Sequence, residues 1–209
     1  MRKASIFWRG LTSIQVHLID IRMDIMMHHL YECAPRPGHT AWCKVSSKGT
    51  QMADPRLRKA IKSKEFVLAP GVFDLISAMI ADRHDFNALY VTGYGTVASY
   101  LGLPDAGLAT YRDMQERISQ ICARTTKPVI ADADTGYGGL LNVRHTVQGY
   151  EAAGVSAIQI EDQEFPKKCG HTPDRRVIPM GDMVRKIEVA VESRLSDDML
   201  VIARTDALT

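Results

Sequence analysis

The 209-residue sequence has little cysteine, no strong excess of charge of either sign and no long apolar run. Its four cysteines, Cys33, Cys43, Cys122 and Cys169, form neither a disulfide framework nor a CxxC metal pattern, so we expect reduced thiols and a cytoplasmic location. The 26 basic and 24 acidic side chains nearly cancel, which favours neither nucleic acid nor an anionic membrane surface as a partner. No apolar run approaches the roughly 18 residues of a membrane span.

Composition changes near Met52, where we expect a boundary between an N-terminal extension (1–51) and a domain (52–209). Basic residues outnumber acidic ones in the extension, and no acidic residue occurs up to Ile19. Three interpretations stay open: a targeting segment such as a mitochondrial transit peptide, an extension upstream of a domain that starts at Met52, and a structural appendage. We favour the second. A secretory signal is disfavoured because Arg9 interrupts a short apolar core.

From Met52 onward, short apolar runs alternate with helical patterns. Strands are predicted at 66–69, 88–91, 128–131, 157–160 and 200–203, and helices at 55–64, 74–83, 111–124, 142–153 and 182–193. Uninterrupted apolar strands between helices indicate a parallel α/β sheet that is covered on both faces. A barrel and an open doubly wound sheet both satisfy this pattern, but no GxGxxG or GxxxxGK[ST] motif follows a strand.

Charged side chains follow three successive predicted strands, at the end where parallel α/β folds place their active sites. These residues are Asp132 and Asp134, then Glu161, then Arg204. In an extended backbone Asp132 and Asp134 would point to the same side and repel each other unless a cation or a shared proton lies between them. With Glu161 they form an all-oxygen set that suits Mg²⁺ or Mn²⁺. The alternative is that these acids merely mark strand-to-loop turns.

A loop after the fourth predicted strand contains the run Lys167-Lys168-Cys169-Gly170-His171. Positive charge on the flanking lysine and histidine side chains would lower the pKa of the Cys169 thiol and make it an acid or a nucleophile near neutral pH. The alternative is an incidental cysteine in a solvated loop.

Six blocks in one order make the region from about 66 to 206 similar to a known family. They are PGVFD (70–74), GLPD (102–105), DADTGYG (132–138), IEDQ (160–163), KKCGH (167–171) and ARTD (203–206). The chain thereby resembles the isocitrate lyase and phosphoenolpyruvate mutase superfamily, especially its methylisocitrate lyase and dimethylmalate lyase branch. The resemblance implies a (β/α)8 barrel of TIM type, which this chain would leave truncated after about five strands.

The resemblance also implies roles for individual residues. Asp105, Asp132, Asp134 and Glu161 match the acidic cluster around Mg²⁺, in which some carboxylates act through water.

Substrate contacts are implied at the ends of the second and fourth strands. Tyr90, Thr92, Gly93 and Tyr94 match the loop that contacts the 2-oxo-acid, although Thr92 stands where serine is commoner and Tyr94 where a small residue is commoner. Lys167, Gly170 and His171 match the loop that closes over the substrate.

The catalytic residues implied are Cys169 as the acid, Arg204 as the contact to the enolate-like oxygens, and Tyr90 as one candidate for the base, with metal-bound water as the other. The expected reaction is Mg²⁺-dependent carbon–carbon cleavage of a 2-hydroxy di- or tricarboxylate to a 2-oxo-acid and a second carboxylate. The first alternative is a mutase or decarboxylase of the same superfamily, which the Cys-Gly-His sequence disfavours. The second is a truncated, inactive fragment. Family members form homotetramers, an assembly that a truncated barrel would not be expected to retain.

Overall fold

A parallel sheet of five strands forms the centre of the structure, a computed structural model that describes residues 53–207. The strands are β1 (Gly71–Val72), β2 (Leu89–Val91), β3 (Val129–Asp132), β4 (Ala157–Glu161) and β5 (Leu200–Arg204). Each strand pairs with the next one along the chain, in the order β1-β2-β3-β4-β5. This sequential order is that of a (β/α)8 barrel, whereas a doubly wound sheet reverses its strand order. The strand order therefore decides between the two folds that the sequence left open.

In the described region, six helices accompany the strands: α1 (Pro55–Lys62), α2 (Leu75–Asp82), α3 (Gly93–Leu101), α4 (Tyr111–Arg124), α5 (Leu140–Ala152) and α6 (Met180–Glu192). Two of them begin at capping boxes, in which Asp74 bonds with Ser77 and Thr110 with Asp113. Such reciprocal bonds satisfy backbone donors of the first turn and set where the helix starts. Among residues 53–207, no helix is long and apolar enough to cross a bilayer.

Strands β2 and β3 are buried on both faces, which explains their uninterrupted apolar sequence. The outer face, which includes Leu89 and Val129, packs in the same cluster as helix residues such as Ile118 of α4. The inner face, which includes Tyr90 and Ile130, packs in a second, smaller cluster. Because side chains alternate along a strand, the pleat decides which residues face the inside of the sheet.

Two predicted elements differ from the structure. The sequence predicts a strand at 66–69, but β1 lies at Gly71–Val72. In the earlier run, the Leu68 carbonyl accepts from the amides of Asn87 and Ala88, and Leu68 N donates to Asn87 Oδ1 at 2.9 Å. Helix α3 was not predicted, and it begins immediately after β2. The remaining predicted strands and helices are confirmed with their ends shifted by up to two residues. The predicted extension (1–51) and the boundary at Met52 lie outside the described residues and stay predictions.

Candidate active site

The candidate site lies at the carboxyl ends of the strands, on the inner face of the sheet. Asp132 follows Ile130 by two positions on β3, and Arg204 follows Ile202 by two on β5. Ile130 and Ile202 belong to the inner cluster, so the alternation of side chains directs both charged residues to the inner face. Ala157 of β4 also belongs to the inner cluster, and Glu161 follows it by four positions on the same strand. The same alternation therefore directs Glu161 to the inner face. The pleat therefore brings together charged residues that the sequence separates by tens of positions.

Asp132 is fixed by two backbone amides. Gly93 N donates to Asp132 Oδ2 at 3.2 Å, and Asp134 N donates to Asp132 Oδ1 at 3.0 Å. A Cβ atom at Gly93 would lie 2.7 Å from Asp132 Oδ2 and 3.5 Å from Asp134 Oδ1, so the residue after Thr92 must be glycine for α3 to approach the carboxylates this closely. Gly93, expected to contact substrate, thus also orients Asp132.

The backbone at Asp134 differs from the expected extended conformation. Strand β3 ends at Asp132, and Asp134 has φ of 48°, in the left-handed region. The argument that two residues two apart on a strand point the same way was therefore wrong for this pair. The two carboxylates come close because the chain turns after Asp132 and Asp134 N bonds back to its side chain.

Lys167 lies inside the acidic cluster. Its Nζ atom is 2.7 Å from Asp105 Oδ1 and 2.5 Å from Asp134 Oδ1, and its side chain is only 4% exposed. Burial on its own lowers the pKa of Lys167, but the charges of Asp134, Asp132 and Glu161 outweigh burial and raise it above its usual range. The ammonium group is therefore a permanent cation that links the loop after β4 to two of the four predicted metal ligands.

Arg204 provides the second cation of the site. Its Nη1 atom lies 3.1 Å from Glu161 Oε2, and its Nη2 atom lies 3.0 Å from Asp206 Oδ1. Burial disfavours the charged form, but Glu161 and Asp206 more than offset this and raise the pKa of Arg204. The guanidinium group is thus held in place by a carboxylate on each side.

The four acidic side chains outnumber these two cations, and burial together with the excess of negative charge raises the pKa values of two of them. Burial, followed by repulsion from Asp132, raises the pKa of Asp134 to about 7 against the opposing effect of Lys167. The same two causes raise the pKa of Glu161 to about 8 against the effect of Arg204. Carboxylates with this much unrelieved repulsion favour the binding of a proton or a further cation.

The loop expected to contact the 2-oxo-acid is split between buried and exposed residues. Tyr90 is buried, and burial together with the charge of Asp132 raises its pKa well above the usual range. Thr92 is the N-cap of α3 but makes no side-chain capping bond, and Tyr94 is 61% exposed. Tyr90 therefore faces the acidic cluster as a neutral phenol, while Tyr94 lies at the surface.

The predicted Cys169 loop is anchored onto the strand ends. A Cβ atom at Gly170 would lie 2.5 Å from Arg204 Nη2, which places the loop backbone directly against the guanidinium group. Cys169 is half-buried, whereas His171 is exposed. The ammonium group of Lys167 bonds to the acidic cluster, and Lys168 Nζ donates to the Asp174 carbonyl at 3.0 Å. Neither of these ammonium contacts is with the thiol.

Four polar residues of the site were not singled out from the sequence, although they lie within the IEDQ and ARTD blocks: Asp162, Gln163, Thr205 and Asp206. Gln163 donates to Glu161 Oε1 at 3.0 Å and to Asp206 Oδ2 at 2.8 Å. Asp162 accepts from Thr205 Oγ1 at 2.6 Å and from Asp206 N at 2.9 Å, which ties the ends of β4 and β5 together. Their place in motifs that also carry Glu161 and Arg204 is the signal that could have identified them.

The donor set consists of oxygen atoms with excess negative charge, which suits a hard divalent cation. In the part of the chain that the structure describes, no three Asp, Glu, His or Cys side chains form a group able to chelate one ion directly. The available donors are carboxylate oxygens, and those of Asp134 and Glu161 carry the unrelieved repulsion described above. Mg²⁺ in proteins is held by few carboxylates and several waters, which matches this arrangement.

Comparison with curated proteins identifies relatives across the described region. The chain is 47% identical to 2,3-dimethylmalate lyase of Eubacterium barkeri over 154 residues, which are 74% of this chain and 53% of that protein. It is 46% identical to 2-methylisocitrate lyase of Aeropyrum pernix over 151 residues, 72% of this chain and 48% of that protein. The chain thus spans about half the length of these relatives.

Solved structures share the fold. A crystal structure of 2,3-dimethylmalate lyase, described as a PEP mutase/isocitrate lyase superfamily member, aligns with a TM-score of 0.70 at 42% identity over 75% of this chain and 54% of that one. A phosphonopyruvate hydrolase in complex with oxalate and Mg²⁺ aligns with a TM-score of 0.68 at 34% identity, over 75% of this chain and 54% of that one. The phosphoenolpyruvate phosphomutase family model matches residues 57–209. The chain therefore belongs to the phosphoenolpyruvate phosphomutase family, in the superfamily that its resemblance to isocitrate lyases predicts.

Proposed function

We propose that this chain carries the metal-binding and proton-donating half of a Mg²⁺-dependent carbon–carbon lyase. Its substrate is a 2-hydroxy di- or tricarboxylate, and its products are a 2-oxo-acid, pyruvate or glyoxylate, and a second carboxylate. The observation that supports this most strongly is the anchoring of the Cys169 loop, through Lys167 and Gly170, onto the acidic cluster and Arg204. Relatives named 2,3-dimethylmalate lyase and 2-methylisocitrate lyase point to the same reaction class.

Asp105, Asp132, Asp134 and Glu161 would hold Mg²⁺, some of them through water. When bound, the cation acts as a Lewis acid for the carboxylate and carbonyl oxygens of the 2-oxo-acid. The protein contributes the orientation of the donors, since Asp132 is fixed by the amides of Gly93 and Asp134 before any ligand arrives. Donors that are already in position need no reorganisation when charge develops in the substrate.

Arg204 and Tyr90 act on the oxygens of the departing 2-oxo-acid. The guanidinium group is fixed by Glu161 and Asp206, so its positive charge stays where negative charge develops. Burial and the charge of Asp132 raise the pKa of Tyr90, so its phenol donates a hydrogen bond in this environment. A cation bound at the acidic cluster would oppose this shift and favour the phenolate. For removal of the substrate hydroxyl proton, the two candidates are Tyr90 and a water molecule held at the acidic cluster.

Cys169 completes the reaction as the acid. Once the hydroxyl proton is removed, the carbonyl of the 2-oxo-acid forms and the adjacent carbon–carbon bond breaks. The electron pair of that bond remains on the second fragment as an enediolate-like carbanion. Cys169 then transfers its thiol proton to this carbon, and the thiolate regains a proton from solvent. Thr92, Gly93 and the loop residues Lys167, Gly170 and His171 line or cover the substrate.

The second candidate is a mutase, decarboxylase or hydrolase of the same superfamily. The phosphomutase family model and the similarity to phosphonopyruvate hydrolase favour it. The Cys-Gly-His sequence at 169–171 favours the lyase, because phosphoryl transfer and decarboxylation do not require a thiol acid in this loop.

The test uses the full chain and its Cys169→Ala variant with Mg²⁺ and a panel of 2-hydroxy di- and tricarboxylates. Release of pyruvate or glyoxylate is followed by coupled reduction with NADH and a lactate dehydrogenase. We expect cleavage of at least one substrate, and a loss of about 10²-fold or more in the variant, the usual contribution of a general acid. Cys122→Ala, which changes a buried cysteine of α4, is the matched control.

Metal binding is measured separately, so that it does not depend on turnover. Titration of Mn²⁺ by electron paramagnetic resonance should show one site that Asp132→Asn weakens. Turnover of phosphonopyruvate or phosphoenolpyruvate, without cleavage of any hydroxy acid, would favour the second candidate. Equal cleavage by the protein and by Cys169→Ala would remove Cys169 from the mechanism.

We also propose a small-molecule carboxylate as the partner and a cytoplasmic location, and we expect this chain not to form the homotetramer of the family. Light scattering of the purified chain tests the assembly, because a tetramer has four times the 23.2 kDa mass of the chain.

A further inference from the structure

Gln163 occupies a central position in the hydrogen bonds beneath the Cys169 loop. The side chain is 2% exposed and lies just after β4. Its Oε1 atom accepts from Lys168 N at 3.0 Å, and its Nε2 atom donates to the Lys168 carbonyl at 3.0 Å. The same nitrogen also lies 3.0 Å from Glu161 Oε1 and 2.8 Å from Asp206 Oδ2, so its two hydrogens are shared among three acceptors. One buried amide thus joins the loop to the ends of β4 and β5.

Both backbone polar groups of Lys168 are held by this single side chain. Lys168 stands between Lys167, whose ammonium group lies in the acidic cluster, and Cys169. The N–H and the C=O of a residue belong to the two planar peptide units that join it to its neighbours. When both groups are hydrogen-bonded, both peptide planes are fixed, because only two soft dihedrals per residue connect them. The bonds to Gln163 therefore determine the position of Cys169 as well as that of Lys167.

A second anchor lies on the other side of the cysteine. Arg175 Nη1 donates to the Gly170 carbonyl at 2.7 Å and to the Thr172 carbonyl at 2.7 Å. Cys169 thus lies between two anchored residues, Lys168 and Gly170. Of the two anchors, the one at Gln163 is buried and tied directly to Glu161, whereas Arg175 bonds only within the loop.

We propose that Gln163 is a positioning residue that holds the loop with Cys169 against the carboxyl ends of β4 and β5. The value of this position for catalysis rests on the proposed function, but the holding of the loop does not. The amide is required because its nitrogen faces the carboxylates of Glu161 and Asp206. A glutamate at 163 would place a third carboxylate beside these two and would lose the donor that the Lys168 carbonyl needs.

The experiment measures opening of the loop in the full chain. Trypsin cleavage after Lys167 and Lys168 and carboxamidomethylation of Cys169 by iodoacetamide are both quantified by peptide mass spectrometry. Cleavage after the exposed Lys64, in the turn after α1, is the internal reference. In Gln163→Glu we expect both rates at the loop to rise at least about tenfold, equivalent to about 1.4 kcal/mol of loop opening, while the rate at Lys64 stays the same.

Three further variants separate positioning from general loss of stability. Gln120→Glu makes the same chemical change on the exposed side of α4 and should leave all rates unchanged. Gln163→Leu removes the hydrogen bonds without adding charge and should also open the loop, which keeps the test valid if Gln163→Glu does not fold. In Gln163→Glu/Asp206→Asn the donor and acceptor of the contact between residues 163 and 206 are exchanged, while the donor to the Lys168 carbonyl is still missing. We therefore expect cleavage and alkylation to slow only partly relative to Gln163→Glu. Each variant is measured well below its own unfolding midpoint.

Unchanged protection of the loop in both Gln163 variants would overturn the proposal. These results are independent of the proposed function. If Cys169→Ala retains full activity while Gln163→Glu opens the loop, the lyase mechanism fails and the positioning role stands.

Discussion

Lys167 provides the strongest quantitative test of the site, because a buried ammonium group lies between two buried carboxylates. The distances from Nζ are 2.7 Å to Asp105 and 2.5 Å to Asp134. With an effective dielectric constant of about 20, each contact has a Coulomb energy of about 6 kcal/mol. Desolvation of the ions offsets much of this energy, and removal of one partner from a buried pair typically costs about 3–5 kcal/mol. We therefore expect Lys167→Met to lower the free energy of unfolding by about 3–5 kcal/mol at about pH 8, where Asp134 is ionised.

The assay is urea unfolding followed by circular dichroism. Lys186→Met is the matched control, because Lys186 is a half-buried lysine whose Nζ donates to a neutral acceptor, the Thr135 carbonyl, at 3.0 Å. Burial lowers the pKa of Lys186, so loss of its charge should cost only about 1 kcal/mol. The variant Lys167→Met/Asp134→Asn should be less destabilised than the sum of the two single changes, by about 1–3 kcal/mol.

The pH dependence of unfolding provides an independent test of the charge interactions around Lys167. The pKa of Asp134 is raised to about 7, so the folded protein binds this proton more tightly than the unfolded chain. The contribution to stability is present at low pH and is lost as the pH rises toward 7. Without Lys167 the repulsion is greater, and the cost of Lys167→Met should be larger at about pH 8 than at about pH 5. A cost below about 1 kcal/mol at both pH values would refute the account of a buried ion triad.

Two further predictions concern metal binding and packing. Mn²⁺ affinity should rise at least about tenfold between about pH 6 and about pH 8.5. The raised pKa values of Asp134 and Glu161 mean that the metal must displace protons from these carboxyl groups at low pH. If a paramagnetic resonance titration shows the same affinity at all pH values, Asp134 and Glu161 are not ligands. Gly149→Ala places a Cβ atom on Tyr111 Oη and should cost about 1–3 kcal/mol, whereas Gly181→Ala meets no atom within 4 Å and should be neutral or stabilise by up to about 1 kcal/mol. Thermal melts of both variants measure the two effects. Equal changes in Tm for Gly149→Ala and Gly181→Ala would contradict the packing argument.

Helix α4 and helix α3 show why some elements can be predicted from sequence and others cannot. The amphipathic pattern and the Thr110 cap of α4 act within a few residues, and its predicted range matches the observed Tyr111–Arg124. Helix α3 contains Gly93 and Gly95, which are poor helix formers and gave no helical signal. A Cβ atom at Gly95 would lie 2.8 Å from the Cβ atom of Phe73, so this glycine is required by tertiary packing.

The sequence by itself determined which charged residues follow the strands and at which end of the sheet they lie. Apolar strands of a parallel sheet have a direction, so the polar residues that follow them must gather at one edge. This reasoning identified Asp132, Glu161 and Arg204 on three neighbouring strands, as the structure places them.

Only the tertiary structure decided the strand order and the partners of each charge. The order β1 to β5 depends on contacts between elements far apart in the chain, which local patterns do not encode. Lys167 enters the acidic cluster, and Gln163 holds Lys168, because the loop after β4 folds back over the strand ends. Burial there removes the competition of water, so contacts of 2.5 to 3.0 Å across the fold fix where the loop lies.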